Sequence, residues 1–587
     1  MAKAKNQVTG GEIIARMLEA EGVEKFFGIM DGTYLSMCKS MVAHGMEMIT
    51  PRHETTAAHM AGAYARMTGK LGVCIASNGP GVANMLSGVA VENVEGNRVL
   101  LITASRRPQI SNPDRGGAYQ CFDQVGVISS MSKWSGTAIT FDRIPEQLRR
   151  ALRHCYQGRP GVVHLDVPET LMNGLTDLPP LPAPHQYRRV DPIPAPQAQV
   201  VQAARMLRDA RLPMIHAGSG IIHSGAYEEL AHLARLLHTP VTTSWCARGV
   251  LPETSELAWP MYMIEAVNTV RNTADLVLVL GSRLGETDWW GKAPYWATPD
   301  KQQLIQVDID EQILGQNRPA DLAILADVRT FLQALITHLE QTGEVGDVAA
   351  RRKEAFDLSR EKESFQANLD LKLDDRESPM CTAHVGATCR EVFKNDAVVC
   401  FDGGNTAVWG NFYHQARVPN TQIGTHHMGH LGAGLGQTLG VAVARPDKQV
   451  YCIIGDGAFG FHPQEVETAV RHGLKVIFLV VCDRQWGMVK MTQSMAARPL
   501  KMILLKKLDP EETINGDLGE VAWDKVAAAM GAHGERVSSP DELKPALQRC
   551  LDADVASVIH VDVNPAKHMW APGLMYFKDM HQEPEGK

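Results

Sequence analysis

The eleven cysteines of this 587-residue chain include no C-x-x-C pair, so neither a zinc framework nor a secreted disulfide scaffold is expected. Several of them, Cys74, Cys400 and Cys452 among them, sit inside apolar runs and read as buried free thiols. No apolar run reaches the roughly 18 residues of a helical membrane span, which excludes that class. The opening residues, MAKAKNQVTGGEIIARMLEAEG, lack a continuous apolar stretch of the signal-peptide kind and read as an amphipathic helix. Secretion is therefore not expected, and the cytoplasm is the expected compartment. Basic runs are missing too. With 66 acidic and 58 basic side chains the net charge is −8, which argues against a polyanion-binding face and a nucleic-acid partner.

What is present is ordinary globular composition, 44% apolar and 21% charged, in a chain too long for one core. Two segments read as connectors. LTDLPPLPAPHQYRRVDPIPAP (175–196) holds seven prolines and favours an extended path. Residues 341–379 are dense in charge and end at Pro379. They leave blocks at 1–174, 197–340 and 380–565, each of common domain size, and a tail at 566–587 rich in Met and aromatic residues. In every block short apolar runs alternate with helical patterns, which predicts an α/β class with parallel sheets. The runs are VEKFFGI, LGVCIAS, RVLLITAS and GVVHLDV; then PMIHAG, PVTTSW, DLVLVLG and LIQVDID; then AVVCFDG, VYCIIGDG, KVIFLVVC and SVIHVDV. Ligands of such sheets sit beyond the carboxyl ends of the strands, so the loops there carry the chemistry.

In the third block two of those loops are glycine-rich, DGGNTAVW (402–409) and GDGAFGF (455–461). Glycine lets backbone N–H groups turn toward an anion, and a following helix start favours one. Asp456 in the second loop and Asp483 in VVCDRQWG lie 27 residues apart, each just beyond an apolar run. Two carboxylates beside phosphate-type loops suit magnesium, which takes one or two protein carboxylates plus a substrate phosphate. Two other patterns carry less. GSGIIHSG (218–225) has His223 where a dinucleotide fingerprint needs its third glycine, and reads as a strand-to-helix turn. HETTAAH (53–59) lacks the spacing of a helical metal motif.

The stretch GDGAFGFHPQEVETAVRHGLKVIFLVVCDRQWGMV resembles the diphosphate-binding signature of thiamine-diphosphate (ThDP) enzymes. PRHETTAAHMAGAYARMTGKLGVCIASNGPGVAN (51–84) and GRPGVVHLDVP (158–168) resemble the pyrimidine-binding domain of the acetolactate synthase and pyruvate decarboxylase superfamily. The likeness runs along essentially the whole chain. It implies three doubly wound parallel-sheet domains: pyrimidine-binding, central and diphosphate-binding. It also implies ThDP and Mg2+ as cofactors, and sites formed between subunits, hence a homodimer at minimum and a homotetramer as a common form.

Carried over by position, the resemblance makes Glu54 the glutamate that hydrogen-bonds the aminopyrimidine N1′. Leu431 becomes the wedge that bends the cofactor, and the Gly429 carbonyl the acceptor of its 4′-amino group. Gly404, Asn405, Thr406, Gly455, Gly457, Ala458 and Met488 fall among the cofactor-binding positions. Asp456 and Asp483 would bind magnesium by side chain and Gln485 by its backbone oxygen. Asp483 is a departure, since the family usually has Asn there. Gln120 matches the active-site glutamine of acetolactate synthases, and Asp31 lies in the first active-site loop, where it would meet substrate.

The implied reaction is C–C lyase or carboligase chemistry on a small 2-oxo acid or 2-hydroxy carbonyl substrate, through an ylid and an enamine, of the acetolactate synthase type. DGGNT and GHLGAGLG, with Gly436 where acetolactate synthases carry proline, look closer to 2-hydroxyacyl-CoA lyases, oxalyl-CoA decarboxylases and benzaldehyde lyase. An inactive regulatory subunit of the same fold is the non-enzyme alternative. No FAD signature stands out, and FAD, ADP or CoA in the central domain stays open. Residues 491–517 read as a solvated charged loop, or as a lid whose Lys501, Lys506 and Lys507 would attract a CoA phosphate or an acidic substrate. The tail is a second lid candidate.

Overall fold

The apolar runs become the interiors of three six-stranded parallel sheets in the computed structural model, which describes residues 7–111, 116–497, 499–505 and 512–579. In the first sheet Lys25–Gly28, Gly72–Ala76, Val99–Ser105 and Val162–Pro168 lie side by side, flanked by Glu47–Ile49 and Trp134–Thr137. The second is centred on Val241–Thr243, Pro213–Ala217, Leu276–Leu280 and Gln303–Asp308, and the third on Val398–Asp402, Val450–Gly455, Val476–Cys482 and Ser557–Asp562. VIFLVVC is buried at every position, as a parallel strand covered by helices on both faces must be. Strand order reverses within each sheet, which opens a crevice beyond the strand ends.

The first and third domains meet through two helices with little side-chain bulk. Helix Glu54–Thr68 is buried from Thr55 to Met67, and its alanines let it sit between neighbours. On one side it faces helix Ala433–Ala444 at Gly436 and Gly440. A Cβ at Gly436 would lie 2.7 Å from the Cβ of His59, and one at Gly440 would lie 2.5 Å from the Met60 carbonyl oxygen. On its other side it faces helix Pro80–Glu95, where a Cβ at Gly88 would come within 2.7 Å of the Ala58 methyl. Glycine is required at these places by proximity, not by dihedral freedom.

The expected connectors are more structured than their composition suggested. Leu175–Asp177, at the head of the proline-rich segment, pairs antiparallel with Gln7–Thr9. The charged stretch 341–379 is built around a 23-residue helix, Val348–Asp370. Asp347 caps it, accepting from Ala350 N–H at 2.9 Å. Arg351 at its start is fully buried and donates to the carbonyls of Leu207 (2.6 Å) and Ala210 (2.9 Å) at the end of helix Gln197–Asp209. A guanidinium there satisfies carbonyls that the helix itself leaves open. Among the described residues no helix is long and apolar enough to cross a membrane.

Candidate active site

The two glycine-rich loops of the third sheet and the end of strand Val476–Cys482 enclose one cleft. Gly403, Gly404, Asn405, Thr406, Gly429, Leu431, Gly455, Asp456, Gly457, Ala458, Asp483, Gln485 and Met488 all line it. Gly403 takes φ +90°, and a Cβ on it would stand 3.1 Å from the Gly455 amide nitrogen, so glycine lets the two loops touch. Buried Asp402 ties in a third loop by accepting from Gly434 N–H at 2.7 Å.

The acidic pair is firmly positioned. Asp456 accepts from Gly457 N–H and from Arg484 N–H, each at 2.9 Å. Arg484 reaches that place in the left-handed conformation, φ +57°, which costs an L residue about 1–2 kcal/mol. Asp483 is 6% exposed and its Oδ1 accepts from Gln485 N–H at 3.4 Å. Desolvation pushes both carboxyls above the usual carboxylate range, and for Asp456 the Asp483 charge adds to it.

Three atoms in this wall are buried with no hydrogen-bond partner among the described residues: Asp483 Oδ2 and both amide atoms of Asn405. A Cβ on Gly487 would sit 2.9 Å from Asp483 Oδ2 and from Asn405 Nδ2, so the glycine keeps that space open. Orphaned oxygens and an amide beside a raised carboxyl pair are what a hard cation with a phosphate-bearing ligand would satisfy.

His568 also lines the cleft, and sequence reading missed it. It follows the last strand in the short helix Pro565–His568, with Nε2 3.8 Å from Asp483 Oδ2 and 3.4 Å from Thr406 Oγ1. Thr382 Oγ1 holds its Nδ1 at 2.7 Å, and burial lowers its pKa to about 3, which keeps the ring neutral. Its place at the carboxyl end of a central strand was the available signal.

Among the described residues, none that lines this cleft comes from the first domain. Glu54 starts helix Glu54–Thr68, half-buried, with Oε2 accepting from Asn84 Nδ2 at 3.0 Å. Gln120 is exposed, with φ +52°, and its carbonyl accepts from buried Asn78 at 2.9 Å. Asp31 caps the turn Gly32–Tyr34, accepting from Thr33 N–H at 2.9 Å. The HETTAAH histidines do not meet: His59 is fully buried against Glu92 at 2.8 Å, while His53 lies beside His462 of the third domain.

A second cavity lies at the strand ends of the central sheet, and the turn at 218–220 forms part of its wall with Arg98, Arg159 and Arg283. Of the lysines in the 491–517 segment, Lys501 pairs with Glu512 at 2.5 Å, whereas Lys506 and Lys507 lie outside the described residues. The tail is described as far as residue 579; its helix Leu574–Asp579 puts buried Leu574 beside Met491 and Met569.

Comparison with known proteins gives this geometry a family. The model of the thiamine pyrophosphate enzyme N-terminal TPP binding domain matches residues 8–127, that of the central domain 200–335, and that of the C-terminal TPP binding domain 402–561. The chain belongs to the thiamine pyrophosphate enzyme family. It is a ThDP-dependent enzyme, and the cleft is formed largely by its C-terminal TPP binding domain. The chain is similar to a probable acetolactate synthase large subunit of Methanocaldococcus jannaschii, 27% identical over 95% of this chain and 92% of that one. Acetolactate synthase isozyme 2 large subunit of Escherichia coli is 28% identical over 96% of this chain and 97% of its own. The isozyme 3 large subunit of that organism is 27% identical over 93% and 92%.

Proposed function

We propose that this ThDP enzyme is a magnesium-dependent carboligase of the acetolactate synthase type, acting on small 2-oxo acids. The observation that carries the reading is end-to-end similarity to acetolactate synthase large subunits, at 27% identity over 95% of the chain for one of them. Bound ThDP supplies a carbon nucleophile for a carbonyl and an electron sink for decarboxylation.

The chain's own residues hold that cofactor. Asp456, Asp483 and the Gln485 backbone oxygen would hold the magnesium; Asn405 and Thr406 would meet the diphosphate, beside Gly404, Gly455 and Gly457. Leu431, the Gly429 carbonyl, Ala458 and Met488 shape the space beside it. Glu54 holds a proton at the aminopyrimidine, oriented by Asn84. Gln120 and Asp31 face substrate.

That no described residue of the first domain lines the cleft supports a reading in which Glu54 serves the cleft of a second copy and the working unit is at least a homodimer. Exposed large apolar residues, Tyr119 at 74% and Leu504 at 77% among them, fit burial against such a copy. The central cavity, with its three arginines, suits an anionic nucleotide such as FAD or ADP.

The deciding experiment incubates pyruvate with the holoenzyme and follows CO2 and acetolactate. Formation of both supports the reading. Formyl-CoA from a 2-hydroxyacyl-CoA, with pyruvate untouched, would replace it by a lyase.

A further inference from the structure

Outside the lining of the ThDP cleft, but with one member on the loop that carries Gly429 and Leu431, all three domains bring three ligand-type side chains to one point. Glu95 is the last residue of helix Pro80–Glu95, and Cys246 lies in the turn Trp245–Ala247 of the central domain. His427 stands in the loop that precedes helix Ala433–Ala444. Cys246 Sγ is 3.2 Å from His427 Nδ1 and 3.7 Å from Glu95 Oε2, and the last two atoms are 3.1 Å apart.

A tetrahedral zinc with bonds of about 2.3 Å to sulfur and about 2.0 Å to nitrogen and oxygen spaces its ligands by about 3.3–3.6 Å. The observed triangle is already close to that size. Without a metal the same three groups are joined by hydrogen bonds, the thiol donating to Glu95 over a long 3.7 Å and Nδ1 facing both the sulfur and the carboxylate, so all three ligand atoms already converge on one point.

The surroundings hold the three atoms in place. Glu95 Oε1 accepts from the backbone N–H of His427 at 2.9 Å and of Met428 at 3.3 Å, which leaves Oε2 turned to the other two atoms. Such support from outside the ligand set is what orients metal-binding carboxylates. Arg66 donates to the Cys246 carbonyl at 3.0 Å and to the Gln422 carbonyl at 3.3 Å, fixing the turn against the third domain. Glu95 and Cys246 are each 5% exposed. The His427 residue lies at the surface, but its imidazole is only 23% exposed and borders the arginine-lined central cavity. A fourth ligand, water or a group of a bound molecule, has access from that side.

We propose that Glu95, Cys246 and His427 form a binding site for a divalent cation of the zinc class, distinct from the carboxylate site in the ThDP cleft. Thiolate and imidazole select zinc over magnesium, which prefers oxygen alone. Binding forms three metal–ligand bonds while the Cys246 thiol proton and any proton on His427 Nδ1 pass to solvent. One ion would then tie the three domains of a chain together.

The test uses the full-length holoenzyme, equilibrated with zinc, dialysed against metal-free buffer and assayed by elemental analysis. About one zinc per chain is expected, with loss to background in both Cys246→Ser and His427→Gln. Cobalt(II) offered in place of zinc should give a sulfur-to-metal charge-transfer band that vanishes in Cys246→Ser and survives in Asp483→Asn. Should one variant fail to fold, the other and the wild-type cobalt spectrum decide. Absence of retained zinc together with absence of the thiolate band in wild type would overturn the site and leave a hydrogen-bonded cluster.

Discussion

At Asp483, where the resemblance leads to an expected asparagine, a second carboxyl is buried beside Asp456 with one oxygen unpaired among the described residues. Both carboxyls are raised above their unfolded range, so the sign of the pH effect is fixed. The contribution is fully present below about pH 4 and is lost as pH rises through the raised folded value. Metal-free wild type should therefore lose stability relative to Asp483→Asn between pH 5 and pH 8, by about 1 kcal/mol or more. Denaturant titrations at both pH values measure this, and a constant difference would contradict it. Magnesium should cancel the loss, and titrating ThDP activation with magnesium should give a steeper pH dependence in wild type than in Asp483→Asn. In the proposed mechanism Glu54 bears on chemistry and not on folding. Glu54→Gln should cut turnover at least 100-fold, in the range expected for a lost proton-transfer group, with an unchanged melting curve.

Among the elements, the glycine contacts of helix Ala433–Ala444 outweigh its intrinsic propensity. Alanine normally strengthens a helix by up to about 1 kcal/mol over glycine. At Gly440 its methyl would press on the Met60 carbonyl, so Gly440→Ala should destabilise the protein by about 1–3 kcal/mol, read as a shift of the unfolding midpoint. Arg351→Met, which orphans carbonyls at the end of helix Gln197–Asp209, should cost on the order of 3 kcal/mol.

The same scale shows what the sequence made legible. All the interior strands stood out as apolar runs because a strand covered on both faces must be apolar throughout. The edge strands did not. Trp134–Thr137 is half-buried along its length and carries no apolar run, while Leu322–Leu325, apolar throughout as LAIL, is only four residues long and alternates buried with exposed. Helix Val348–Asp370 looked like a connector because its charges dominate, while its anchoring rests on Arg351, a residue that composition counts as surface. The cleft was legible where its residues directly follow an apolar run: Asn405, Asp456 and Asp483 stand in three such loops, and the structure brings them to one wall. His568 was not picked out: its place after an interior strand marks the region, and the fold shows that the segment returns to Asp483.

For the whole molecule, the proposed division of the site between copies makes a quantitative claim. Glu54→Gln and Asp456→Asn chains, each inactive alone, should recover activity when unfolded and refolded together. Random pairing of two such chains leaves about a quarter of the sites with both halves intact. Recovery at background level would place both halves within one chain.

The glycine seam between helices Glu54–Thr68 and Ala433–Ala444 leaves no slack for sliding, with a would-be methyl at Gly440 already 2.5 Å from the opposing backbone. The first and third domains of one chain therefore move as a single lever. In the proposed dimer, opening of the cleft would then fall to the boundary between copies, which makes substrate entry a property of the assembly and not of the isolated chain.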